Sequence, residues 1–183
     1  VFRGRGTPLA AIMEGVLSAI RDMRDRISCL YMGTVMRTRP VEEALQALEE
    51  LAPWYSEIAA FGMGGAERGN PPLRFRRYFD ACRERGFRTC VHAGEEGPAD
   101  YVREALSLPV DRIDHGNAAA EDPALLRILA ERRIPLTMCR ILPHIRSNGC
   151  WSRGCASRSI RMIPPISSGT PVTTGPPCAG RSG

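Results

Sequence analysis

Five short strand-like segments, each set off from the next by one helical stripe, constrain this chain more than any other feature. They are Cys29 to Met36, Glu57 to Phe61, Phe87 to His92, Val110 to Gly116 and Ile134 to Cys139. The first has no polar alternation, as expected of a strand buried on both faces. Between and before them lie segments with apolar residues at helical spacing. Leu9, Ile12, Met13, Val16, Leu17, Ile20 and Met23 follow Thr7-Pro8, which offers an N-cap and a proline at the first helical position. Val41, Ala44, Leu45, Leu48 and Leu51 follow Pro40. A third helix runs from Pro72 and stops at Gly86, a fourth spans Pro98 to Leu108, and Asp122-Pro123 caps a fifth. Strands alternating with helices through short links mean a parallel α/β sheet.

Polar residues interrupt this pattern at the carboxyl ends of strands: Gly64-Gly65-Ala66-Glu67, His92 to Glu95, and Asp114-His115. That edge of a parallel sheet is where ligands bind and chemistry is done, because loops there converge on one crevice. Three such ends together outweigh any one of them.

After Cys139 the pattern stops. Residues 140–183 show no helical stripe and are rich in Ser, Pro, Gly, Arg and Cys, so we read them as an irregular or disordered tail attached to a domain of residues 1–139. Charge divides at the same place. The first 139 residues hold 19 arginines against all 20 carboxylates, a net of −1, whereas the tail holds six arginines and no acid. The chain's +5 is therefore a property of the tail, and the body has no basic face for nucleic acid by count. No apolar run approaches the roughly 20 residues that cross a bilayer. Seven cysteines without CxxC spacing suit a reducing, cytoplasmic setting, with Cys29, Cys82, Cys90 and Cys139 expected in the core.

The segments GMGGAERGNPP (62–72), VHAGEEGP (91–98), DRIDHGN (111–117) and IPLTMC (134–139) resemble, in order and spacing, the adenosine/adenine deaminase family of the metal-dependent amidohydrolases. The likeness covers roughly residues 7–139. It implies a partial TIM (β/α)8 barrel of about five parallel strands, and as parent activity the zinc-dependent hydrolytic deamination of a 6-aminopurine, adenosine or adenine, to the 6-oxopurine and ammonia. His92 resembles the family's zinc-binding histidine at a strand end. Glu95 matches the carboxylic acid that protonates a purine ring nitrogen. His115 resembles the histidine that orients the attacking hydroxide, and Gly65 the glycine whose backbone contacts the purine. RIDHG and EEGP look like the adenine branch and GMGGAE like bacterial adenosine deaminases, so both substrates stay open. The expected partner is a small purine, with neither nucleic acid nor membrane.

Each residue has a plainer reading. His92 alone could be a core histidine, His115 could end a strand without further role, and Gly64-Gly65 could be only a turn. Glu95-Glu96 could be a solvated pair favoured by a helix dipole; that reading is given to Glu96. The arginines of residues 74–85 are expected to form a solvated face, and His144 is taken as a tail residue.

Parts of the family pattern are not in this sequence. The opening His-x-His strand and the closing Ser-Asp-Asp-Pro strand, which supply further zinc ligands, are missing, and Arg140-Ile141-Leu142-Pro143 stands where the family has Pro-x-Ser-Asn. When the tail's codons are read from their third base, Met162-Ile163 forces Asp, and the surrounding residues are compatible with Val-Asn-Ser-Asp-Asp-Pro-Ala. The chain is thus expected to be truncated at its N-terminus and frame-shifted after Cys139. With His92 as its zinc ligand it is expected to show no deaminase turnover of its own. The rival readings are an inactive fragment without a function and an Arg-rich nucleic-acid binder.

Overall fold

The computed structural model describes residues 6–138 and the backbone of residues 161–162. Helix α1 (Leu9–Met23) buries Met13 and Leu17. Thr7 does not cap it: Pro8 is the N-cap residue, and no side chain accepts a hydrogen bond from the first turn. Strand β1 (Tyr31–Met36) starts two residues later than its apolar run suggests and is mostly half-buried, with Thr34 exposed. Among the described residues it is an edge strand with β2 as its neighbour in the sheet, so the run reflects an apolar sequence rather than two covered faces. Helix α2 (Val41–Glu50) and a 3-10 turn (Ala52–Glu57) lead to β2 (Ile58–Gly64), which extends three residues beyond the expected end at Phe61. A 3-10 turn (Pro72–Phe75) enters α3 (Arg76–Glu84), and Gly86 terminates it with φ +82°, a conformation that suits glycine. Strand β3 (Arg88–Ala93), α4 (Ala99–Leu106), β4 (Arg112–His115), a 3-10 turn (Asn117–Glu121), α5 (Pro123–Glu131) and β5 (Leu136–Met138) complete the order.

The strands lie side by side in sequence order, β1 to β5, every pairing parallel. Each helical crossover therefore steps to the next position and the order never reverses. A doubly wound sheet has a reversal point, whereas a (β/α) barrel advances in one direction. The fold is the expected partial barrel. A sixth, two-residue strand, β6 (Arg161–Met162), pairs antiparallel with β5 through Thr137↔Met162 and Met138↔Arg161, a feature the tail sequence does not announce. The boundary at Cys139 and the rest of residues 140–183 lie outside the described residues. Among those described, no helix is long and apolar enough to cross a membrane.

The core joins sheet and helices through Phe61, Met63, Val91 and Ile113 from the strands and Tyr78, Phe79 and Leu125 from the helices, none more than 1% exposed. Phe61 and Phe87 meet edge-to-face, ring centroids 4.7 Å apart, an arrangement worth about 1 kcal/mol beyond burial. Cys82 and Cys90 are free and buried, as expected, and burial pushes both thiols up to about 12. Cys29 is not a core residue: it is exposed in the segment between α1 and β1. The arginines of residues 74–85 do form an outer face. Arg77 pairs with Glu42 at 3.3 Å and Arg83 with Asp111 at 3.0 Å.

Helix α5 carries the cap the sequence promises. Asp122 accepts hydrogen bonds from the Ala124 N–H at 3.1 Å and the Leu125 N–H at 3.0 Å. These bonds, Leu125 first, together with Arg103 hold its carboxyl below the usual carboxylate range. A depressed folded-state pKa means the stabilisation is complete above the unfolded pKa and disappears as pH falls through the folded one. Asp122→Ala is therefore expected to lower the thermal midpoint at neutral pH, read by circular dichroism, with the gap to the parent closing in acid. A gap of equal size at both pH values would show that the charge plays no part.

Candidate active site

Strand β3 delivers His92 one residue before its end, and the parallel register sets His92 opposite Asp114 and Ala93 opposite His115. Alternation along β4 turns Asp114 toward the face that carries His92 and assigns the next side chain to the other face. His115 escapes that rule because its φ is +74°, in the left-handed region, with Gly116 following at +72°. The backbone turn brings His115 Nε2 to 3.1 Å from His92 Nδ1, with ring centroids 4.8 Å apart. A non-glycine residue in this region costs about 1–2 kcal/mol, and such strain concentrates at functional sites.

Glu95 stands two residues past the strand, its Oε2 3.2 Å from His115 Nε2. His92, Glu95 and His115 each offer a ligand atom within 4.8 Å of the others. Burial lowers the pKa of His92 below the ordinary imidazole value, against the pull of Asp114, whose Oδ2 lies 3.6 Å from His92 Nε2. A neutral imidazole keeps a lone pair for a Lewis acid. Two imidazoles and a carboxylate are donor types found at divalent transition-metal sites; of the three, His92 fits a metal ion as a neutral ligand, which leaves Glu95 and His115 free to act beside it. Arg112 holds Asp114 through a 2.8 Å bond from Nε to Oδ1, which fixes the carboxylate beside the His92 ring. His115 Nδ1 is buried and has no hydrogen-bond partner.

The expected site residues thus divide. His92, Glu95 and His115 come together. Gly65 lies just past β2 with φ +97°, where a Cβ would approach Met36 Cε to 2.9 Å. Its neighbour Gly64 faces the cluster, a Cβ there lying 3.5 Å from His92 Nε2. Glu96 is exposed.

Two residues noted at strand ends, Asp114 and Glu67, were given no role, and a third, Arg37, was not singled out. Asp114 could have been assigned a role from its place one residue before His115 at a strand end. Glu67 closes the GMGGAE segment and is 2% exposed. Its Oε2 accepts from the N–H groups of Gly94 at 2.9 Å and Gly97 at 2.8 Å, and its Oε1 from Glu95 N–H at 3.2 Å. Arg37, fully buried just beyond β1, donates from Nη2 to the His92 carbonyl at 2.7 Å and lies 4.0 Å from Glu67. Nothing in a chain with 25 basic residues distinguished it.

A parallel sheet that advances in one direction, with histidines and carboxylates gathered where neighbouring strands end, is the layout of a barrel amidohydrolase. The chain belongs to the adenosine deaminase family, whose sequence model matches residues 3–144. It is 56% identical over 151 residues to an adenine deaminase of Rhodopseudomonas palustris (strain BisB18), covering 81% of this chain and 44% of the relative. Among solved structures it is similar to the adenine deaminase of Arthrobacter aurescens, with TM-score 0.71, 38% identity, and coverage of 75% of this chain and 43% of that one. It is also similar to an amidohydrolase from Burkhoderia ambifaria with bound Zn, with TM-score 0.70, 32% identity, and coverage of 75% and 39%. The chain spans under half the length of these relatives.

Proposed function

We propose that this chain carries the proton-transfer half of a purine aminohydrolase site: deamination of adenine, with adenosine as the second candidate, to the 6-oxopurine and ammonia. The observation that carries it is the convergence of His92, Glu95 and His115 at the ends of β3 and β4. Two relatives that carry the name adenine deaminase favour the free base. In the reaction water adds to C6, a C–O bond forms, the exocyclic C–N bond breaks, and ammonia leaves.

His92 is the residue that would hold a zinc ion, its ring fixed by Asp114 on one side and His115 on the other. A bound zinc ion would supply a water acidic enough to attack at neutral pH. Glu95 gives its proton to the ring nitrogen next to C6, where it stays in the 6-oxo product; of the attacking water's two protons, one leaves with the amine as ammonia and the other restores the Glu95 carboxyl. Its side chain is 34% exposed in this structure, so a substrate can reach it. His115, 3.2 Å from Glu95, holds a proton at Nε2 and stabilises the developing oxyanion. Gly65 presents backbone where a side chain would keep the purine away.

The test is a chimera in which residues 7–138 replace their counterparts in the Rhodopseudomonas palustris relative. It is expected to convert adenine to hypoxanthine with release of ammonia, with a slower or no reaction on adenosine. A folded, zinc-loaded chimera that releases no ammonia from either purine overturns the reading.

A further inference from the structure

The loop that carries Glu95 is wrapped around a buried carboxylate. Three of its four successive N–H groups, those of Gly94, Glu95 and Gly97, point at Glu67, at 2.9, 3.2 and 2.8 Å. Successive backbone N–H groups converging in this way make an anion-binding nest, and the occupant here is the chain's own side chain. The glycines of the loop follow from that geometry. Gly94 has φ +79°, and a Cβ there would lie 2.7 Å from Val102. A Cβ on Gly97 would lie 2.5 Å from Glu67 Oε2. An ionised carboxylate only accepts, and its two oxygens supply all the acceptor sites these three donors need. Arg37 closes the arrangement from the other side. It is fully buried, sits 4.0 Å from Glu67, and its Nη2 donates to the carbonyl of His92 at 2.7 Å. Its backbone N–H donates to Gly64 O at 2.9 Å, so the ends of β1, β2 and β3 are joined through one side chain and its own peptide.

We infer that Arg37 and Glu67 form a buried clamp that positions His92 and Glu95: Glu67 by filling the nest of the 94–97 loop, Arg37 by holding the peptide of His92. They are positioning residues and touch no reacting atom. Their value for catalysis rests on the deaminase reading, but the clamp does not, and its test reads the loop itself.

The test uses nitrogen-15-labelled full-length chain, with amide hydrogen exchange followed residue by residue. Glu67→Gln keeps the shape but replaces one acceptor oxygen with an N–H₂ group that faces the donors. Exchange at Gly94, Glu95 and Gly97 is expected to accelerate by roughly 10- to 100-fold, as loss of a buried hydrogen bond implies, while Phe61 and Met63 in β2 keep their protection. The imidazole nitrogen signals of His92 and His115 should shift in the same variant, which a merely space-filling residue would not cause. Glu96→Gln, on the same loop but exposed, should change none of these. Arg37→Lys keeps a charge near Glu67 but loses the reach to His92, so it should move the His92 signals and leave Gly94 and Gly97 protected. Loop amides in Glu67→Gln within twofold of the parent overturn the clamp, as does equal acceleration in β2 and the loop. If Glu67→Gln does not fold, Arg37→Lys decides: unmoved His92 signals overturn it.

Discussion

Glu95→Gln in the chimera with the Rhodopseudomonas palustris relative is expected to lower kcat by about 10²–10⁴, the range that a positioned general acid contributes. KM should change far less, because the group lost acts in the transition state rather than in binding. The substitution is informative because it leaves the rest of the site in place. The N–H of residue 95 still donates to Glu67, a backbone contact at 3.2 Å that the side chain does not affect. The carboxamide can still meet His115 Nε2, which Glu95 reaches at 3.2 Å. What it cannot do is give up a proton. Stability should stay within about 0.5 kcal/mol of the parent, as for other surface substitutions, measured by urea unfolding. Glu96→Gln is the control one residue away, exposed and without an assigned role, and should leave kcat unchanged. A Glu95→Gln chimera whose kcat stays within tenfold of the parent would remove Glu95 from the reaction.

The contrast between Glu95 and Arg37 shows what the amino-acid sequence discloses and what it withholds. Periodicity gave the β/α alternation because apolar spacing is a local property, whereas the barrel was implied by the resemblance of the strand-end segments, since spacing alone does not fix the order of strands. His92 and His115 stood out because they lie at or next to strand ends, where polar residues are out of place. Their contact did not, because it depends on the left-handed turn at His115, which no residue type in that segment demands. Cys29 was misplaced for a related reason: it sits in an apolar run, but the run begins before the strand does, and its first residues are exposed. Thr7 has the right residue type for a cap, yet Pro8 takes the position. Arg37 was invisible because its meaning comes entirely from partners at positions 67 and 92, brought together by three different strand ends.

Those partners make Arg37 the position at which stability should respond most. Arg37→Met is expected to destabilise the chain by about 3–5 kcal/mol, the range seen when one member of a buried ion pair is removed, read as a lower urea midpoint at unchanged slope. The loss is not mainly the pair's attraction. Arg37 and Glu67 are 0% and 2% exposed, so removing the cation leaves a carboxylate that has given up water and has only N–H groups for compensation. Burial already pulls the guanidinium's pKa below its ordinary value, opposed by the Glu67 carboxylate. Two of its nitrogens, Nε and Nη1, have no hydrogen-bond partner, so the arginine is held at some expense and for its charge. The double variant Arg37→Met with Glu67→Gln removes both charges at once. It should therefore lose less than the two single variants added together, by about 1–3 kcal/mol of coupling. It should not return to the parent, because the N–H groups of Gly94, Glu95 and Gly97 divide between the two Glu67 oxygens and glutamine keeps only one of them. Strict additivity would mean that the two residues act independently, and Arg37 would then be a packing residue whose charge is incidental.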